Sequence, residues 1–185
     1  MNNSTGRLIL TLTVLGLVSA FILAFVFQWT LPYIIKHQAK AQERAVFAVL
    51  PGASDYKEVE KDGQVFFEGF DQSGKRIGVA IKATGGGFQG MITVMVGTDP
   101  EAEKVYGIQV LEHQETPGLG AFITGEKYEA NFIDKPFGDY KVVKRPATSP
   151  YEVEAISGAT ISSTKVTSIV EKAIKDIQRA YGGGA

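Results

Sequence analysis

The sequence predicts an α+β protein: one amino-terminal transmembrane helix, then one domain built of an antiparallel sheet and a carboxyl-terminal helix. Three observations predict it. Residues 8–35 contain no Asp, Glu, Lys or Arg. Four apolar, largely alternating runs follow, QVFFEGF, RIGVAIKA, MITVMVG and VYGIQVLE, separated by the turn clusters DQSGK, TGGGFQG and TDPEAEK. Finally, Val166, Ile169, Val170, Ala173, Ile174 and Ile177 repeat at helical spacing.

The uncharged run is long enough to span a hydrocarbon core of about 30 Å, which takes about 20 helical residues. Trp29 and Tyr33 fall where an interfacial aromatic belt belongs. A cleavable signal would have a shorter apolar stretch closed by a small-residue cleavage site, so the run reads as an uncleaved anchor over residues 1–36. Helical spacing continues through Ile35, Ala39, Gln42, Val46 and Val49 until Pro51-Gly52 stops it, giving a stalk helix over residues 37–52. Lys36, Lys40 and Arg44 follow the span while Arg7 and the terminal amine precede it, a count that puts the body on the cytoplasmic side.

Residues 53–185 then form the domain. Its sheet is an antiparallel meander, followed by a short helical piece near residues 126–132, a strand at YKVVKR, and a last helix from about residue 161 to 181, ended by the glycines at 182–184.

Composition narrows the chemistry. The 185 residues are 44% hydrophobic, and 19 Lys and Arg are matched by 20 Asp and Glu, so no basic surface for nucleic acid is expected. There is no cysteine, and His37 and His113 alone cannot build a metal cluster. Redox chemistry here requires a bound organic cofactor.

Three segments stand out. TGGGFQG, with Gly86 and Gly87, is either a loose hairpin loop or a place where backbone N–H groups approach a flat or anionic ligand. It has neither the Gly-Lys-Ser/Thr of a P-loop nor the crossover helix of a dinucleotide fold. In HQETPGLG, Pro117 fixes one turn dihedral while Gly118 and Gly120 free two others, making a rigid loop whose exposed donors suit the edge of a planar ring. A plain Pro-Gly turn needs none of its neighbours His113, Glu115 and Thr116.

AISGATISSTKV places five hydroxyls at the start of the last helix. They can be caps, a nucleophile or a point of attachment. A phosphate ester on Thr160 would sit at a helix amino terminus, where N–H groups and the dipole favour an anion. A serine hydrolase would need a base, for which His113 is the candidate, and no Gly-x-Ser-x-Gly elbow is present.

In this order behind a single span, TGGGFQGMITVMVGTD, VLEHQETPGLG and AISGATISSTKV closely resemble the FMN-binding domain of the G subunit of the Rnf electron-transport complex. The C subunit of the sodium-translocating NADH:quinone reductase is its sister family. The resemblance implies FMN held covalently on Thr160 through a phosphoester, with Ser157, Gly158, Ala159 and Ile161 around it, installed by a separate flavin transferase that uses FAD as donor. It further implies that Glu115, Thr116, Gly118 and Leu119, with His113 beside them, lie against the isoalloxazine ring. Gly86 and Gly87 belong to the site through the glycine loop, where the family more often has a Tyr. The implied role is electron carriage among other membrane subunits, without stand-alone catalysis. The domain would then lie on the outer face of the bacterial cytoplasmic membrane, opposite to the charge count. The competing reading is a membrane-anchored ligand-binding or assembly module without covalent flavin.

Overall fold

The computed structural model describes residues 3–182. Helix α1 (Asn3–Val49) runs without interruption through the apolar segment, and its residues 4–40 are solvent-exposed. It is long and apolar enough to cross a membrane. Pro32 lies inside it, where a proline removes one main-chain donor. Two residues earlier, the Thr30 hydroxyl donates to the carbonyls of Val26 and Phe27 within the helix.

A second compact unit begins at Ala41 and takes in the last turns of α1. Its centre is a six-stranded antiparallel meander: β1 (Asp55–Lys61), β2 (Gln64–Phe70), β3 (Arg76–Gly86), β4 (Met91–Thr98), β5 (Lys104–His113) and the two-residue β6 (Lys135–Pro136). The four apolar runs of the sequence are β2 to β5. Because side chains alternate along a strand, the two faces of this sheet carry different cores.

On one face Phe66, Val79, Ile81, Ile92, Val94 and Val96 pack with the apolar stripe of α3 (Thr160–Tyr181). On the other, Phe67, Ala80 and Met95 meet Ala45, Val46, Val49 and Leu50 from the end of α1 and the residue after it. In β2 to β4 residues on both faces are buried, which is why these runs hold adjacent apolar residues as well as alternating ones. The approach is close: a Cβ on Gly97 would strike the Val49 carbonyl, and one on Gly69 would lie 2.7 Å from Leu50 Cδ1.

Two features differ from the sequence expectation. β1 carries the charged sequence DYKEVEK and has no fully buried position, so it lacks the alternation that marks a strand; it is an exposed edge, where charge guards against unwanted pairing. The YKVVKR strand is only β7 (Lys141–Val143), which pairs in parallel with β8 (Glu152–Glu154) as a separate two-stranded sheet. The expected helical piece over residues 126–132 is present as the single turn α2 (Glu126–Glu129) continued by a 3-10 turn at Ala130–Phe132, with another 3-10 turn before it at Gly120–Thr124. α3 starts at Thr160, and of the expected terminal glycines 183 and 184 lie outside the described residues.

Leu50, fully buried against the sheet, is expected to lose about 2–5 kcal/mol of stability on replacement by Ala. Val65→Ala, at a position 46% exposed, should stay within about 0.5 kcal/mol. Urea unfolding of the detergent-solubilised chain, followed by circular dichroism, measures both.

Candidate functional site

Three segments distant in sequence meet around one carboxylate. The turn between β3 and β4 is closed by the Gly87 N–H donating to the Gly90 carbonyl at 2.7 Å. From its tip the Phe88 and Gln89 N–H groups donate to Glu115 Oε1, at 2.7 and 3.1 Å. The other carboxylate oxygen accepts from the Ser162 hydroxyl of α3 at 2.5 Å. Gln89 Nε2 adds a bond to the Thr116 hydroxyl at 2.9 Å. Glu115 is 4% exposed, and room for it exists because two neighbours lack side chains. A Cβ on Gly87 would collide with Oε1, and one on Gly120 would lie 2.7 Å from Oε2.

Burial pushes the Glu115 carboxyl up. The bonds from the Ser162 hydroxyl and from the Gln89 and Phe88 N–H groups, with His113 nearby, outweigh it and hold the group below its ordinary value. The carboxylate is therefore charged at neutral pH and committed to the protein.

The Pro117-Gly118 turn follows directly. Gly118 has φ of +77°, which suits glycine, and the Leu119 and Ala121 N–H groups both donate to the Thr116 carbonyl. Two donors that the sequence suggested would be exposed are thus used within the loop. Before α3, Gly158 also takes a positive φ, +78°, and a Cβ there would lie 3.2 Å from Leu119 Cδ2.

The helix begins at Thr160 with Ala159 as its cap residue, no side-chain cap and no acid in its first turn. The hydroxyls of the motif are instead sorted by their bonds. Ser163, fully buried, accepts from the Ile156 N–H and donates to the Ala159 carbonyl. Ser162 is held by Glu115, and Thr164 donates to the Thr160 carbonyl at 2.9 Å. Among the described residues of the motif, the Ser157 and Thr160 hydroxyls make no hydrogen bond.

These elements enclose a cleft of about 950 Å³, at the upper end of the roughly 300–1,000 Å³ that ligand pockets occupy. Ser157, Gly158, Ala159, Thr160 and Ile161 line one side, and Glu115, Thr116 and Leu119 another. Phe88, Leu119, Phe122 and Ile161 leave 61, 48, 58 and 53% of their surface exposed around it. Four large apolar side chains bordering one concavity suit a flat apolar ligand. Lys127 and Lys144 also line the cleft, and neither is in an ion pair among the described residues. With the uncapped helix start they suit an anion. The residues present therefore fit a planar ring carrying a phosphate.

Other expected residues lie behind this surface or beside it. Gly86 sits in β3 opposite Met91, and Gly87 packs on the Glu115 carboxylate. Gly118 is at the exposed tip of its turn. His113 ends β5, and its Nδ1 accepts from the Glu115 N–H at 3.2 Å, so it supports the loop from outside the cleft wall. Sequence reasoning missed Phe88, Phe122, Lys127 and Lys144 as cleft residues and Ser162 as the partner of Glu115. Phe88 directly follows the glycines and could have been found; the rest carry no local pattern.

A sheet backed by α3, with a cleft at the helix start that suits a planar ring and a phosphate, is consistent with an FMN-binding domain. Residues 87–175 match the family model of the FMN-binding domain. The G subunit of the ion-translocating oxidoreductase complex of Methanosarcina acetivorans is 34% identical over 184 residues, covering 95% of this chain and 96% of that one. The G subunit of the proton-translocating ferredoxin:NAD(+) oxidoreductase complex of Clostridium ljungdahlii is 28% identical, covering 98% and 96%. The crystal structure of Shewanella oneidensis NqrC superposes with a TM-score of 0.55 at 26% identity, covering 66% of each chain. The chain belongs to the family of G subunits of ion-translocating oxidoreductase complexes.

Glu115→Ala leaves two N–H groups and a hydroxyl without their acceptor and should cost about 1–3 kcal/mol at pH 7. Because the folded carboxyl titrates below its ordinary value of 4.5, the stability linked to its charge is present above pH 4.5 and lost as pH falls through the folded value. Urea unfolding of both chains at pH 7 and below pH 4.5 should show the gap narrowing on acidification.

Proposed function

We propose that this chain is the electron-carrier subunit of a membrane-bound, ion-translocating ferredoxin:NAD oxidoreductase of the Rnf type, holding FMN covalently through a phosphoester on Thr160. The observation that carries the reading is the sorting of hydroxyls at the start of α3. Ser162, Ser163 and Thr164 are engaged, whereas Thr160 lines the cleft with its hydroxyl uncommitted. Ser157 is also free, but it precedes the helix, and the family resemblance selects Thr160.

Bound FMN would supply the redox chemistry, and the protein its position and environment. Thr160 would provide the ester oxygen at the amino terminus of α3, where main-chain N–H groups favour the phosphate. Lys127 and Lys144 add positive charge to the same cleft. Phe88, Leu119, Phe122 and Ile161 exclude water from a ring, and Thr116 borders it. No side chain is asked to act as an acid or base. Maturation requires a flavin transferase, with FAD as the donor.

On this reading residues 1–36 anchor the chain, residues 37–52 connect it, and the domain over residues 53–185 lies on the extracytoplasmic side of the bacterial cytoplasmic membrane. There it exchanges electrons with the other membrane subunits of the complex. Related G subunits are named for proton translocation in Clostridium ljungdahlii and for sodium translocation in Acetobacterium woodii, so the cation is a property of the particular complex.

Peptide mass mapping of the protein coexpressed with a transferase should find FMN less one water on the peptide containing Thr160, and Thr160→Val should carry none. Flavin that persists on that peptide in the variant would move the attachment to another hydroxyl. For topology, protease added to intact spheroplasts should degrade the domain. Protection until lysis would place it in the cytoplasm.

A further inference from the structure

The carboxylate of Glu115 forms no described ion pair, His113 acting on it only through space, yet it is buried at the edge of the cleft. Its bonds come from two N–H groups of the turn at residues 87–90 and one hydroxyl on α3. These donors stabilise the charge without cancelling it, since none carries a formal positive charge. A fixed negative charge with little water around it acts strongly on any ligand whose own charge changes nearby.

Ser162 has a second consequence. It lies two residues beyond Thr160 in the first turn of α3, and its partner carboxylate holds the N–H group of Phe88, whose ring borders the cleft. One chain of bonds thus links the helix start to the aromatic tip of the glycine turn.

We propose that Ser162 and Glu115 are a positioning pair: Ser162 locks the glycine turn to α3 through the Glu115 carboxylate, and the charge held there lowers the reduction potential of the flavin in the cleft. Adding two electrons with fewer than two protons leaves the flavin more negative, and a fixed carboxylate opposes that step. The inference rests on the FMN reading for its second half only. The lock is a property of the chain itself.

Three variants of the full-length chain separate the two halves. Glu115→Gln keeps the shape and one acceptor oxygen for the Phe88 and Gln89 N–H groups, leaves an amide that can donate to the Ser162 oxygen, and removes the charge. Ser162→Ala removes the lock, and Ser162→Thr restores a hydroxyl. On the flavin-free, detergent-solubilised chain, hydrogen exchange of the Phe88 and Gln89 amides should quicken at least tenfold in Ser162→Ala and return toward the parent in Ser162→Thr. Exchange unchanged in Ser162→Ala overturns the lock, whatever the state of flavin attachment.

On the flavin-loaded chain, confirmed by intact mass, Glu115→Gln should raise the ratio of reduced to oxidised flavin at least tenfold at a fixed applied potential. For a two-electron couple that is about 30 mV. A ratio within twofold of the parent overturns the charge effect while leaving the FMN reading intact. Absence of flavin from the parent chain itself, coexpressed with a transferase, overturns the FMN reading and with it this half of the inference.

Discussion

The Glu115 carboxylate is where the cleft is held together. The glycine turn, the Pro-Gly turn and the first turn of α3 come from three parts of the chain. What joins them is the set of donors converging on one buried anion, from Phe88, Gln89 and Ser162. Such a group is stable only when hydrogen-bonded, so its burial dictates the conformation of each segment that supplies a donor. Gly87 and Gly120 follow from the same constraint, as a side chain at either would displace the carboxylate.

The scaffold behind this junction does different work. The sheet is covered on one face by α3 and on the other by the end of α1, so strands β2 to β4 are fixed from both sides. β3 delivers the glycine turn, β5 delivers Glu115, and α3 delivers Thr160 and Ser162. A rigid frame that presents three loops at one end is a common way to build a binding site. Here the arrangement leaves the uncapped start of α3 facing the same cleft as the exposed rings of Phe88 and Phe122. Charge preference at one end and apolar surface at the other suit a ligand with a phosphate and a flat ring.

Much of this was legible in the sequence where periodicity carries the information. Strands β2 to β5 and the stripe of α3 carry patterns that burial imposes, whereas the amino-terminal run is marked by its lack of charge. β1 was not legible, because an edge strand exposes its side chains and DYKEVEK has nothing to alternate. The parallel pairing of β7 with β8 depends on a loop that brings residues 141–143 beside 152–154, which no local pattern encodes. At the site, the motifs named segments that the fold brings together at the cleft, but not the bonds between them. Glu115 and Ser162 satisfy each other across the fold, a long-range pairing hidden from spacing, while His113 braces the loop from behind. Lys127 and Lys144 are ordinary surface lysines until the fold places both on the cleft.

The central claim is that the phosphate of FMN is esterified to the protein, and phosphorus NMR of the protein purified from its native membranes tests it most directly. A free or non-covalently bound FMN carries a phosphate monoester whose second ionisation lies near pH 6. Esterification to Thr160 removes that ionisation. Between about pH 5 and 8 the phosphoester should then give a single resonance, stoichiometric with the chain, whose position does not move. A resonance that titrates near pH 6, or no phosphorus signal at all, would contradict it.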